Sequence, residues 1–271
     1  MKLKQKVRIG FIGAGNMAEA IISAIIKSGI PSGRIIASDV NSKRLNYIRK
    51  KYKIKSSLDN SDTVKSSDVI FLAVKPFQVK EVLEKIKDYF NGQKLVVSIA
   101  AGIKTSKIEK YLKKTAVIRV MPNTAALIGE GAIALSAGKR ANKADIKLAE
   151  KLLSSCGTVV TVKEKDMDAV TAVSGSGPAY VFYVTEIMGK TAEKMGLSKE
   201  TAKKLVNQTL LGASKMLIAT GECPDILRQK VTSKGGTTEA AFKVLSNKKF
   251  ADIFESAIFS AMKKSKELSN G

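Results

Sequence analysis

The sequence predicts an α/β protein in two parts: a doubly wound domain over residues 1–163 and an all-α domain over residues 164–271. Three observations carry that expectation. A short apolar run (Val7, Ile9, Phe11, Ile12) breaks into Gly13-Ala14-Gly15-Asn16-Met17-Ala18 and resumes with helical periodicity over residues 19–26. Strand and helix patterns then alternate as far as residue 163. Beyond Lys165 the strand-like alternation stops, and helix-period sequence runs nearly to the end.

Composition narrows the chemistry. The 271 residues are 44% hydrophobic, enough to build one large core or two ordinary ones. No apolar run approaches the roughly 20 residues that span a bilayer, and no basic-then-apolar leader is present, so no membrane partner is expected. Cys156 and Cys223 are far apart and lack a C-x-x-C spacing, as reduced thiols of a cytoplasmic protein would be. The chain has no histidine. That excludes Ser-His-Asp triads, Cys-His dyads and His-ligated zinc, and no metal site is expected. The net charge of +23 comes mostly from scattered lysines, without an Arg-rich arm or zinc-finger spacing. This reads as a solvated surface rather than a nucleic-acid site, with a field that favours small anionic ligands.

Gly13, Gly15 and Ala18 fit the G-x-G-x-x-G/A fingerprint of a Rossmann dinucleotide-binding domain, between a strand and a helix as that motif requires. Gly13 permits the tight turn, Gly15 leaves the backbone open to a pyrophosphate, and Asn16 and Met17 open the helix whose free N–H groups attract an anion. A second strand over 34–38 ends at Asp39, where such a fold presents its ribose-reading acid. An acid there favours NADH. Ser38, Asn41, Lys43 and Arg44 could instead hold the 2′-phosphate of NADPH, so both cofactors stay open.

Asn41 or Ser42 caps a helix through residue 52, followed by a short strand near 54–56. The apolar run 69–74 reads as a buried parallel strand and stops at Lys75-Pro76. Ligands gather at the carboxyl ends of such strands, which places Ala73, Val74, Lys75 and Pro76 beside the cofactor; Lys75 also reads as an ordinary surface lysine. A helix over 79–89 leads to a strand over 95–99 that ends in Ala100-Ala101-Gly102. A helix over 106–112 and a strand over 117–121 follow, the latter ending in Pro122-Asn123-Thr124, another polar turn on the ligand side. Strands over 132–135 and 158–162 flank a helix over 143–153.

In the second part, a long apolar helical stretch over 166–195 is interrupted by Ser174-Gly175-Ser176-Gly177-Pro178. This break is either a packing kink or a polar notch beside the cofactor ring. Ser198 caps a helix that ends before Gly221, and helices near 224–231, 238–245 and 250–268 complete the chain. These helices are too apolar and too few to bury themselves, so pairing with a second copy is expected. Ser233-Lys234-Gly235-Gly236-Thr237-Thr238 combines two glycines with hydroxyls at a helix start. It suits a carboxylate or phosphate, or serves simply as a cap with Thr238 on its own helix.

Taken together, these segments resemble the pyrroline-5-carboxylate reductases. The resemblance spans nearly the whole chain: Gly10 to Ala18, Ala73-Val74-Lys75-Pro76, Val97 to Gly102, Arg119 to Thr124, Ser174 to Tyr180 and Gly235-Gly236-Thr237-Thr238. It implies a reductase that moves hydride from NADPH, or NADH, to a cyclic imine in the last step of proline synthesis. It also implies a C-terminal dimerisation domain with the active site at that interface, and homodimers that assemble into decamers. By the same resemblance Ser38 and Asn60 contact the adenosine ribose or its phosphate. Gly235, Gly236 and Thr237 hold the substrate carboxylate beside Ser233 and Ser176, and Thr238 meets the ring nitrogen as the catalytic hydroxyl. Lys234 stands where the family has proline, which removes a conformational restraint and adds a charge beside an anion site. A phosphogluconate-type dehydrogenase would carry a catalytic lysine on the long helix, but here the nearest is Lys190, well past the break.

Overall fold

The computed structural model describes residues 7–90 and 92–270; residues 1–6 and 271, the ends of the two expected domains, lie outside them. Strands β1 (Ile9–Ile12), β2 (Ile35–Ser38), β4 (Val69–Leu72) and β5 (Leu95–Ser98) are buried along their whole length. Their sequences lack apolar–polar alternation because both faces are covered by helices. With β3 (Lys55–Ser57), β6 (Ala116–Met121), β7 (Gly131–Ala137) and β8 (Gly157–Thr161) they form an eight-stranded sheet in the order β3-β2-β1-β4-β5-β6-β7-β8. All neighbours pair in parallel except β6 and β7, which are antiparallel. The order reverses at β1, between β2 and β4, and a crevice therefore opens beyond the carboxyl ends of β1 and β4.

Alternate residues of the same strands face two separate cores. Ile9, Phe11, Val69 and Phe71 pack with Ile21, Ile22 and Ile25 of α1 (Asn16–Lys27). Ile12, Ile70 and Leu72 pack with Leu83 and Ile86 of α4 (Val79–Ile86). The rings of Phe11 and Phe71 stack across β1 and β4 at 4.7 Å between centroids, worth about 1 kcal/mol beyond their burial.

The expected helix over 79–89 is α4 followed by a separate 3₁₀ turn, Lys87–Tyr89. The break in the long helix is a π-helical turn, Thr171–Gly175, between α7 (Met167–Val170) and α8 (Gly177–Lys194). Gly175 has a packing reason: a Cβ there would lie 2.5 Å from Met121 Cε.

Contacts group the chain into one unit running to Ser176 together with residues from Ala261 onward, and a second unit, Gly177–Ser260. In the first, α2 (Ser42–Tyr52), α3 (Asn60–Lys65), α5 (Thr105–Tyr111) and α6 (Lys143–Leu153) complete the covering of the sheet. The second holds α8, α9 (Lys199–Thr220), α10 (Pro224–Lys230), α11 (Thr237–Asn247) and the first half of α12 (Phe250–Asn270). Ser198 Oγ accepts the Thr201 N–H at the start of α9, and Gly221 ends that helix at φ 65°. Tyr180 and Phe254 meet edge to face in this unit, yet Phe182 stays 66% and Ile218 84% exposed in the single chain. Among the described residues no helix is long and apolar enough to cross a membrane.

One ion cluster fastens α1 to α2. Glu19 accepts from Arg44 at 2.5 Å, Lys51 at 2.9 Å and Tyr52 Oη at 2.8 Å. Burial raises its pKa, but the donors from Lys51, Tyr52 and Arg44 outweigh that and bring it down to about 2. The folded pKa lies below the unfolded one, so this stabilisation is complete above the ordinary glutamate range near pH 4.5 and is lost as pH falls towards 2. Glu19→Gln should cost about 2 kcal/mol at neutral pH. The difference in thermal stability from the parent protein should shrink progressively below pH 4.5; a constant difference down to pH 2 would contradict the assignment.

Candidate active site

The crevice beyond β1, β4 and β5 is a cleft of about 620 Å³. It is lined by Gly13, Gly15, Asn16, Met17, Asn60, Ala73, Val74, Lys75, Pro76 and Ala100, and also by Asp39, Gln78, Thr124 and Leu127. Gly13 sits at φ 97°, and a Cβ there would lie 2.6 Å from the Ala73 carbonyl oxygen. Its N–H donates to the Ser38 carbonyl at 2.7 Å, closing the turn against β2. Gly15 differs. It is the N-cap of α1 at φ −65°, ordinary backbone for any residue, and an added Cβ meets nothing within 4 Å. The missing side chain serves the open space, not the protein's own packing. Because Gly15 offers no side-chain cap, the first N–H groups of α1, at Asn16 and Met17, are left for an acceptor in the cleft. Glu19 in that first turn would repel an anion, but its bonds to Arg44 and Lys51 offset the charge.

Ser38 does not line the cleft. It is fully buried, and its Oγ donates to Asn60 Oδ1 at 2.7 Å. That bond leaves Nδ2 as the end of the Asn60 amide able to meet a ligand acceptor. Asn123 is likewise nearly buried: Nδ2 donates to the Ser174 carbonyl and Oδ1 accepts the Ala132 N–H, so both ends of its amide brace the wall behind Thr124. Ser176 closes the π-helical turn through its N–H to the Thr171 carbonyl. Lys75 is exposed on the rim; its backbone N–H is held by Gln78 Oε1 at 3.2 Å.

In the helical unit, Gly235 at φ 74° turns the Ser233–Gly236 loop into α11. The N-cap is Gly236, without a side-chain cap, so the alternative in which Thr238 caps its own helix does not hold; Thr237 and Thr238 lie inside the first turn. The Gly236 N–H closes onto the Ser233 carbonyl at 3.0 Å, while the Gly235 N–H donates to the Glu239 carboxylate at 2.9 Å. The Thr237 and Thr238 amides have no intrahelical partner by the geometry of a helix start.

Gln78 and Leu127 of the lining carried no sequence signal. Of the Pro122-Asn123-Thr124 turn, Thr124 lines the cleft, while Asn123 is committed to the Ser174 carbonyl and the Ala132 N–H. Nothing in the sequence marked Arg44 as a partner of the Ala14 carbonyl, to which its Nε donates at 2.6 Å.

Comparisons with known proteins give the family. Residues 164–268 match the family model described as pyrroline-5-carboxylate reductase dimerisation, and residues 8–102 match one described as NADP oxidoreductase, coenzyme F420-dependent. Pyrroline-5-carboxylate reductase 2 of Bacillus subtilis is 42% identical over 264 residues, covering 96% of this chain and 95% of its own. The chain belongs to the pyrroline-5-carboxylate reductase family. A reductase structure from Coxiella burnetii superposes with a TM-score of 0.91 at 39% identity, covering 98% of this chain and 99% of its own. One from Plasmodium falciparum, described with NADP bound, gives 0.89 at 32% identity with the same coverage. Family membership makes the chain an NAD(P)H-dependent oxidoreductase that forms homodimers. The open side of Gly15, the uncapped start of α1 and the Asn60 amide fit a nicotinamide dinucleotide.

The two glycines therefore separate in a test. Gly15→Ala should keep the parent melting temperature and lose cofactor affinity by at least tenfold, because only the ligand's space is filled. Gly13→Ala should lose stability as well, by 1 kcal/mol or more, from strain at positive φ and collision with Ala73. Thermal melts alongside cofactor titration check both; a stable, tightly binding Gly15→Ala protein would contradict the cradle.

Proposed function

We propose that this chain reduces the ring C=N bond of pyrroline-5-carboxylate to L-proline, with NADPH or NADH as reductant. The carrying observation is the joint presence of the open glycine cradle and the Gly235-Gly236-Thr237-Thr238 loop in a family member that covers 95% of its Bacillus subtilis relative. When bound, the reduced nicotinamide supplies the hydride. Asn16 and Met17 hold the pyrophosphate at the start of α1, with Gly13 and Gly15 giving it room. Asn60, oriented by Ser38, meets the adenosine ribose or its phosphate. Ala73, Val74, Lys75, Pro76 and Ala100 form the walls nearer the reactive end, and Asn123 braces the Thr124 wall through the Ser174 carbonyl and the Ala132 N–H.

In the helical unit, Gly235, Gly236 and Thr237 take the substrate carboxylate with Ser233 as a polar neighbour; Ser176, the last residue of the first unit, is a further substrate contact by the family resemblance. In the single chain the Gly235 amide is engaged by Glu239 and the Gly236 amide by the Ser233 carbonyl, so the Thr237 and Thr238 amides are the uncommitted donors of the loop, and substrate displaces Glu239 from Gly235. Thr238 hydrogen-bonds the ring nitrogen. A protonated imine carbon is electrophilic without further activation, so the protein's work is to orient two anions and exclude water. The absence of histidine is consistent with a reaction that needs no strong general acid. Functionally the chain divides into a cofactor domain, residues 1–163, and a substrate and dimerisation domain, residues 164–271. The exposed apolar helices support pairing through the latter, and the dimers assemble further into a decamer. Two free thiols, Cys156 and Cys223, support a cytoplasmic setting.

Purified protein should oxidise NADPH or NADH when pyrroline-5-carboxylate is added. Thr238→Ala should keep its fold and cofactor affinity while turnover falls by about 10²-fold or more. Full activity in that variant would remove Thr238 from the mechanism; no oxidation by the parent protein with either cofactor would overturn the assignment.

A further inference from the structure

The position that sequence reasoning gives to a ribose reader does a different job. Asp39 Oδ2 accepts the Ala14 N–H at 2.7 Å, and Oδ1 accepts the Asn41 N–H at 2.8 Å. On its other side Ala14 is gripped again, its carbonyl accepting Arg44 Nε at 2.6 Å. Ala14 itself is fully buried. Both peptide groups of the middle residue of the glycine turn are thus held by charged side chains, and such bonds are about twice as strong as neutral ones.

The surrounding charges point the same way. Glu19 is paired with Arg44 and Lys51, so those cations are committed, while Asp39 is held by the Ala14 and Asn41 N–H groups. Arg44 is not a free phosphate reader, since its guanidinium is shared between Ala14 and Glu19.

We infer that Asp39 is a positioning residue: with Arg44 it fixes the Gly13–Gly15 turn for the pyrophosphate, and it does not select between NADH and NADPH. This rests on the dinucleotide reading of the cleft.

The test is equilibrium titration of the full chain with NADH and NADPH, followed by nicotinamide fluorescence. It is repeated with ADP, which carries the pyrophosphate, and with adenosine 2′-monophosphate, which lacks it. In Asp39→Asn, both backbone amides lose their charged acceptor, and one of the two faces an NH2 donor instead of an oxygen. Affinity for NADH, NADPH and ADP should fall by a similar factor, about tenfold, with the NADPH-to-NADH ratio kept within about twofold and adenosine 2′-monophosphate unaffected. A role confined to overall stability would weaken all four ligands together and contradict the inference. A tenfold shift of the ratio towards NADPH would restore Asp39 as the ribose reader and overturn it. Should Asp39→Asn fail to fold, Arg44→Met removes the opposite grip on Ala14. Equal losses for the two cofactors support the clamp, and a loss confined to NADPH overturns it. If the parent protein binds neither cofactor, the dinucleotide reading itself falls, and this inference with it.

Discussion

The structure depends on the close approach of Gly13 to the Ala73 carbonyl. Three strands end at this point. β1 delivers Gly13, β4 delivers Ala73, whose N–H bonds the Ile12 carbonyl at 2.8 Å, and β2 supplies the Ser38 carbonyl that accepts the Gly13 N–H. A side chain at Gly13 would push β1 and β4 apart where Phe11 and Phe71 stack beneath them. Only glycine tolerates the positive φ there without strain. Because the turn closes tightly, α1 begins immediately at the mouth of the cleft, and its uncapped amides face the ligand's space. The reversal of strand order supplies the crevice, while Gly13 lets the backbone reach its edge.

Electrostatics then shape that edge. A chain of net charge +23 attracts anions over its whole surface, so the overall field gives little selectivity. Selection comes from short contacts. Glu19 and Asp39 carry negative charge at the edge of the cleft: Glu19 is paired with Arg44 and Lys51, and Asp39 accepts the Ala14 and Asn41 N–H groups. Their role is to hold α1, α2 and the glycine turn in register, so that the amides of α1 are preorganised before any ligand arrives. The helical unit relies on other physics. Apolar side chains such as Phe182 and Ile218 are exposed in the single chain, within the residues that match the family's dimerisation model.

Much of this was legible in the sequence because the strongest signals are local. The strand–glycine–helix order of residues 9–26, the apolar run ending at Lys75-Pro76 and the loss of strand pattern past Lys165 all reflect backbone periods and turn chemistry. Residues whose role depends on distant partners were not legible. Ser38 was expected to contact the ligand but is buried on Asn60, twenty-two residues away in sequence. Asp39 occupies the right position for a ribose reader, yet two backbone amides take its oxygens, which no residue pattern reveals. The break at Ser174–Pro178 was visible as a small-residue run, but its π-helical form and its fit against Met121 come from tertiary packing.

The central claim is direct hydride delivery to the imine carbon of pyrroline-5-carboxylate. It is tested most directly with cofactor carrying deuterium at the transferable position of nicotinamide C4. The account predicts L-proline heavier by one deuterium, located on the former imine carbon. Unlabelled proline formed in ordinary water, or cofactor oxidation without proline, would contradict it.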